Sequence, residues 1–300
     1  MENECYFVNS RGLLKSCDFY SANPKSSCNN DINYLLNMLN SNKMKDGMSI
    51  YICSDLLKYF VNKILPKINN KFVLVSGDSD MCVPIEALSQ KESLYLLTSP
   101  YLLKWFVQNT RLQDNEKIIQ LPIGLDYHTI FNCSDCNWKL PEEDILPLSQ
   151  EEILKNIINE AKPFYERIPK IFVNFSKNND RFKQRENSLK IIPENLIEKN
   201  VNFMPRTNLW KKMIDYVFVL SPFGVGMDCH RTWEVLCLGC IPIVCAPNFK
   251  KLFEDLPLLI VNNWDDINET LLNDTIKLFK TKKFNFEKLK LEYWVNNIKY

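Results

Sequence analysis

Short runs of β-branched and aromatic residues alternate with stretches of helical periodicity along most of this 300-residue chain, and that alternation leaves few architectures open. Met48 to Cys53 (MSIYIC) reads as a strand. Asp55 to Ile68 carries Leu56, Leu57, Phe60, Val61, Ile64 and Leu65 on one helical side, and Lys71 to Ser76 (KFVLVS) is a second strand. Strand, helix and strand within roughly 30 residues form a βαβ unit, whose crossover makes the strands parallel. A polar, helical stretch then runs to Arg111, followed by a strand over Lys117 to Leu121.

Residues 132–150 interrupt the pattern with Pro141, Pro147 and several acids, which marks a linker. Ser149 and Glu152 have capping-box spacing and predict a helix to about Ala161. The alternation then restarts. Lys170 to Ser176, Tyr216 to Leu220, Ile241 to Cys245 and Leu258 to Val261 are strands. Helices are expected over Thr207 to Asp215 (capped by Thr207), His230 to Leu238, Asn248 to Asp255, Asp265 to Phe279 and Phe286 to Lys299. At about 150 residues per domain, the length suits two units. The expectation is an α/β protein with two Rossmann-like domains, 1–148 and 149–300, facing each other across a cleft, the last helix able to pack back on the first. Ligands of such sheets sit outside the carboxyl ends of the strands and between domains.

Composition narrows the function classes. The 37 Lys and Arg are balanced by 36 Asp and Glu, so a net charge of +1 gives no reason to expect nucleic acid as the partner. Apolar runs such as Ile241 to Ala246 fall far short of the ~20 residues of a membrane span. Met1 to Arg11 lacks the basic and apolar regions of a signal peptide, which predicts a cytoplasmic protein. Of eleven cysteines, Cys53, Cys237, Cys240 and Cys245 sit in apolar runs and are expected as thiols. Cys133 and Cys136 form a single CxxC without a second pair or nearby histidines, which reads as a surface loop and not as a zinc site.

Three of the seven glycines, Gly224, Gly226 and Gly239, fall within sixteen residues, in the run SPFGVGMDCHRTWEVLCLG that starts at Ser221. The run follows a buried-looking strand and opens a helix. Glycine there permits positive φ and close backbone approach, and the helix N-terminus offers free N–H groups to phosphate. Asp228 can cap that helix. Arg231 lies one turn in, and Glu234 is three residues further on the same face, where its carboxylate could accept hydrogen bonds from two ribose hydroxyls or pair with Arg231. The dinucleotide fingerprint needs a third glycine that this run lacks, which argues against a dehydrogenase.

The segment from Ser221 to Val244, SPFGVGMDCHRTWEVLCLGCIPIV, resembles the signature of the exostosin-like glycosyltransferases, glycosyltransferase family 47. Asn263-Trp264-Asp265-Asp266 is similar to a later Trp-Asp segment of that family. Before residue 165 the chain resembles only small stand-alone members, such as those of large DNA viruses, through GDSD and LPIGLDYHT. The resemblance implies a GT-B fold, an inverting reaction, a nucleoside-diphosphate sugar (UDP-sugar) as donor and a glycan hydroxyl as acceptor. It places the donor in the C-terminal half, on Ser221, Gly224, Gly226, Asp228, Arg231 and Glu234. Phe223 stands where the family often has Arg, so phosphate contacts are expected from Arg181, Arg185 or Arg206.

An inverting transfer needs a base for the attacking hydroxyl. Asp78 and Asp80 directly follow the strand that ends at Gly77 and are the candidates; the ordinary alternative is a capped turn. Asp126 is the rival base, or shapes the acceptor side together with His128. Asp78-Ser79-Asp80 also spells DxD, but it lies in the half opposite the donor signature. Guanidiniums and a helix N-terminus are expected to neutralise the phosphates without a metal or other cofactor. The second reading is a sugar- or nucleotide-binding module without turnover.

Overall fold

The computed structural model describes residues 1–21, 32–41, 43–112, 115–133, 137–176, 178–200, 202–246 and 250–299. Two parallel sheets organise the chain. The first has four strands, β1 (Met48–Cys53), β2 (Phe72–Gly77), β3 (Leu102–Val107) and β4 (Ile118–Gln120), each beside its predecessor. Strand alternation sorts their side chains between two faces. Ile50, Ile52, Leu74, Trp105 and Val107 pack with α2 (Asn33–Asn40), the helical run 54–67 (α3) and α4 (Gln90–Leu97). Tyr51, Val73, Val75 and Phe106 face the opposite way, toward α1 (Ser10–Lys15) and the C-terminal helix.

β3 departs from the sequence reading, which ran a helical stretch through it. Its run LLKWFV is short enough to suit either state. Pairing decides: Val73 to Ser76 of β2 register with Lys104 to Val107, and β4 closes the other side. The indole of Trp105 also donates to Ser76 Oγ at 2.8 Å, which satisfies both polar groups inside the core.

A short α5 (His128–Phe131) and an irregular stretch lead to α6 (Pro147–Glu160). The expected capping box does not form. Pro147, whose ring presets helical φ, starts the helix three residues earlier than a Ser149 cap would, and Ser149 Oγ donates to Asp144 Oδ2 at 2.7 Å.

The second sheet holds β5 (Ile168–Val173), β6 (Ile197–Lys199), β7 (Tyr216–Leu220), β8 (Ile241–Val244) and β9 (Leu259–Ile260), in the order β6-β5-β7-β8-β9. Between them run α7 (Gln184–Ile191), α8 (Arg206–Met213), α9 (His230–Cys237) and α10 (Lys250–Phe253); α11 (Glu269–Thr281) and α12 (Leu291–Ile298) follow. The α8 helix begins at Arg206 after Pro205, so Thr207 lies inside it and does not cap it. The chain steps outward from β5 to β6, then returns to the other side of β5 to lay down β7. The crossovers therefore part at β5 and β7, and a crevice opens beyond the carboxyl ends of these two strands.

One of three apolar clusters of the described residues spans both sheets, and each sheet has a further cluster of its own. Phe172, Val219, Leu209, Trp233 and Leu236 of the second half belong to the same apolar cluster as Tyr51, Val73, Leu13 and Trp294. Two elements tie the halves covalently distant in sequence. Glu151 of α6 accepts the backbone N–H groups of Tyr6 (2.9 Å) and Phe7 (2.8 Å), and Leu291 N at the start of α12 donates to Tyr6 O at 2.9 Å. Among the described residues no helix is long and apolar enough to cross a membrane.

The apolar-run cysteines Cys53, Cys237, Cys240 and Cys245 are thiols. Of the CxxC pair, Cys133 is exposed and Cys136 lies outside the described residues.

Candidate functional site

The turn between β7 and α9 sits at the crevice. Neither Gly224 nor Gly226 adopts positive φ, contrary to one reason given for them above; what they provide is close approach. A Cβ on Gly224 would stand 2.6 Å from Arg185 Nη2. On Gly226 it would meet Asp80 Oδ1 at 2.8 Å and Asn109 Nδ2 at 3.2 Å, both from the first half. The glycines let two separate groups of polar side chains close on the same turn.

A cavity of about 500 Å³ opens there. From the second half, Arg185, Arg206, Gly224, Gly226, Arg231 and Glu234 line it; from the first come Asp80, Ile123 and Asp126. Glu234 is buried between two cations, 3.8 Å from Arg206 Nε and 3.6 Å from Arg231 Nε. Arg231 Nη1 donates to the carbonyl of Asn174, just past β5, at 2.6 Å, so it spans the crevice between β5 and α9. Arg185 is anchored on Ser176 O at 2.8 Å, while its Nε is buried without a hydrogen-bond partner among the described residues. No side chain of the N-cap residue Cys229 caps α9.

Asp228 does not cap α9 either. Its buried carboxylate instead accepts Ile123 N at 2.7 Å and the Trp233 indole at 2.9 Å, and burial pushes it up to about 6. It is a strut between the halves. Asn109 is a second strut: its Oδ1 accepts from Met227 N (3.2 Å) and Asp228 N (2.8 Å), and its Nδ2 donates to Ser79 O (2.9 Å).

Two of the residues expected to hold the donor do not reach the cavity. Arg181 pairs with Glu86 at 2.6 Å across the halves. Ser221 is buried behind the turn, its hydroxyl without a hydrogen-bond partner among the described residues.

The two aspartates of the GDSD turn part company. Asp78, in left-handed conformation (φ 61°), turns into the protein, where its side chain is 6% exposed and meets Arg11 Nη1 at 3.0 Å. Burial pushes its carboxyl up to about 6 despite that guanidinium. Asp80 stays at the surface of the cleft against Gly226, with burial of its inner side raising its pKa.

Asp126 is occupied. Burial opposes its charge, but cationic neighbours, the Arg206 guanidinium at 3.3 Å among them, outweigh that and hold it well below the usual carboxylate range. Asp126 lines the larger cavity, with its carboxylate engaged by Arg206. Burial pushes His128 down to about 4, so its ring is neutral near pH 7.

A smaller cavity of about 150 Å³ adjoins the first. Ser10, Asp78, Ser79 and His128 line it, and Asp80, Ile123 and His230 border both spaces. Arg11, Asn109 and His230 were not singled out from sequence. Arg11 and Asn109 belong to no motif. His230 lay inside the signature, beside Arg231, and its being one of only two histidines was the available signal. Comparison of the chain with protein-family models and with curated proteins returns no match.

Proposed function

We propose that this chain is an inverting glycosyltransferase of GT-B type, moving a sugar from a UDP-sugar onto a glycan hydroxyl. The observation that carries this reading is the convergence of Arg185, Arg206 and Arg231 with the buried Glu234 at the start of α9. Guanidiniums and helix amides neutralise a diphosphate, and a carboxylate held between them can take a vicinal diol. A cavity near 500 Å³ is of the size that binds a nucleotide-scale ligand. The likeness of Ser221 to Val244 to the exostosin-like signature supports the same assignment.

In this reading the donor phosphates lie along the glycine turn and α9, Glu234 holds the ribose, and the acceptor enters from the side of Asp80. Cations of the protein take the place of a divalent metal. Calorimetric titration with UDP, paired with an assay of UDP release from UDP-sugars, tests it. Glu234→Ala should weaken UDP binding roughly 10–100-fold, the worth of charge-assisted hydrogen bonds, and leave the circular dichroism spectrum unchanged. Unaltered UDP affinity in that variant removes Glu234 from the site. UDP binding without turnover against varied acceptors favours the binding-module reading, and turnover lost in EDTA and restored by manganese overturns the metal-free arrangement.

A further inference from the structure

Asp80, Ile123 and His230 border both cavities, and of these only Asp80 and His230 can accept a proton. We propose that His230, and not a carboxylate of the GDSD turn, takes the proton from the attacking hydroxyl, which enters through the smaller cavity. This rests on the glycosyl-transfer reading above.

Hydrogen bonding defines the ring's state. Nδ1 of His230 lies 2.8 Å from the carbonyl oxygen of Gly124, and a carbonyl only accepts, so the proton sits on Nδ1. In the neutral ring this leaves the lone pair on Nε2. That atom has no hydrogen bond among the described residues, and the partly exposed ring lines both cavities. A backbone carbonyl that fixes the tautomer and points the other nitrogen at a cavity is the arrangement a general base needs.

Four carboxylates interact with the ring. Asp78, Asp80, Asp126 and Asp228 all act electrostatically on this ring, and each would stabilise an imidazolium. The His128 ring, neutral near pH 7, lies 5.9 Å away, centroid to centroid. Asp80, by contrast, leans on Gly226 on the donor side, where a diphosphate would already be. Its part is to steady the imidazolium.

The smaller cavity has the lining of a sugar subsite. Ser10 lines it, with its Oγ buried and without a hydrogen-bond partner among the described residues, beside the polar Asp78, Ser79 and His128. In the step itself the acceptor oxygen forms a bond to the anomeric carbon as the bond from that carbon to the phosphate oxygen breaks. UDP leaves with the electron pair, and the hydroxyl proton passes to Nε2 of His230, later to be released to solvent.

The test compares His230→Asn, whose amide N–H can still donate to Gly124 O, with Asp80→Asn. His230→Asn should lower turnover of a UDP-sugar at least 100-fold, within the range of general-base assistance, while UDP affinity stays within about threefold. His230→Ala should lose as much and regain turnover as imidazole is added, a response that a merely structural role would not give. His230→Asn turnover within about threefold of wild type, or a larger loss in Asp80→Asn, overturns the assignment. If wild type neither binds UDP nor turns over UDP-sugars, the glycosyl-transfer reading fails first, and a titration with UDP alone tells the two failures apart.

Discussion

Asp228 shows how one carboxyl can serve structure at a cost that depends on pH. It joins Ile123 of the first half to Trp233 of the second, and burial raises it from 3.8 to about 6. The folded protein therefore holds this proton more tightly than the unfolded chain does. Below about pH 4 the group is protonated in both states and costs nothing. As pH rises toward 6 the unfolded chain ionises first, so stability falls across that window. Asp78, raised in the same direction, adds to the trend. Asp228→Asn keeps an oxygen for Ile123 N and removes one titration. Melting temperatures from pH 4 to 7 should fall less steeply in the variant; a slope equal to that of wild type would mean that the buried charge is not its source.

Among the elements, the β7–α9 turn is the one whose composition and position explain each other. Gly224 has ordinary φ, so Ala is accommodated by the backbone, and its Cβ would strike only the flexible end of Arg185 at 2.6 Å. Gly224→Ala should leave the melting temperature nearly unchanged while displacing that guanidinium and weakening UDP binding by about tenfold, one charge-assisted hydrogen bond. Retained affinity would show that Arg185 does not contact the ligand. Capping was less legible than periodicity. Ser149, Thr207 and Asp228 all have capping chemistry, yet none caps, because Pro147, Pro205 and the inter-half contacts of Asp228 fix the chain first.

At the scale of the molecule the two sheets are joined by packing. One apolar cluster runs through both, and α6 and α12 are bound to residues 6–8. Calorimetry should therefore show a single unfolding transition, and fragment 1–148, missing α12 from one face of its sheet, should be unfolded when expressed alone. Two resolved transitions, or a folded fragment, would contradict a common core. The same closeness shapes the candidate site, whose lining draws Asp80 and Ile123 from one half and Arg185, Arg231 and Glu234 from the other.

By itself the sequence determined what depends on neighbours along the chain. Hydrophobic periodicity specified an α/β protein with parallel strands, since β1, β2, β7 and β8 lie within a residue or so of where their apolar runs put them. The glycine turn, with Arg231 and Glu234 one helical face apart, was legible because that spacing is local. Tertiary structure decided everything that depends on partners distant in sequence. β3 became a strand because β2 and β4 flank it, Arg181 was drawn to Glu86 across the halves, and Asp78 was turned inward to Arg11. His230 acquired a defined tautomer from Gly124, 106 positions away. A side chain's residue type fixes which bonds it can make, but only folding brings up the groups that compete for them and removes the water that would otherwise take their place.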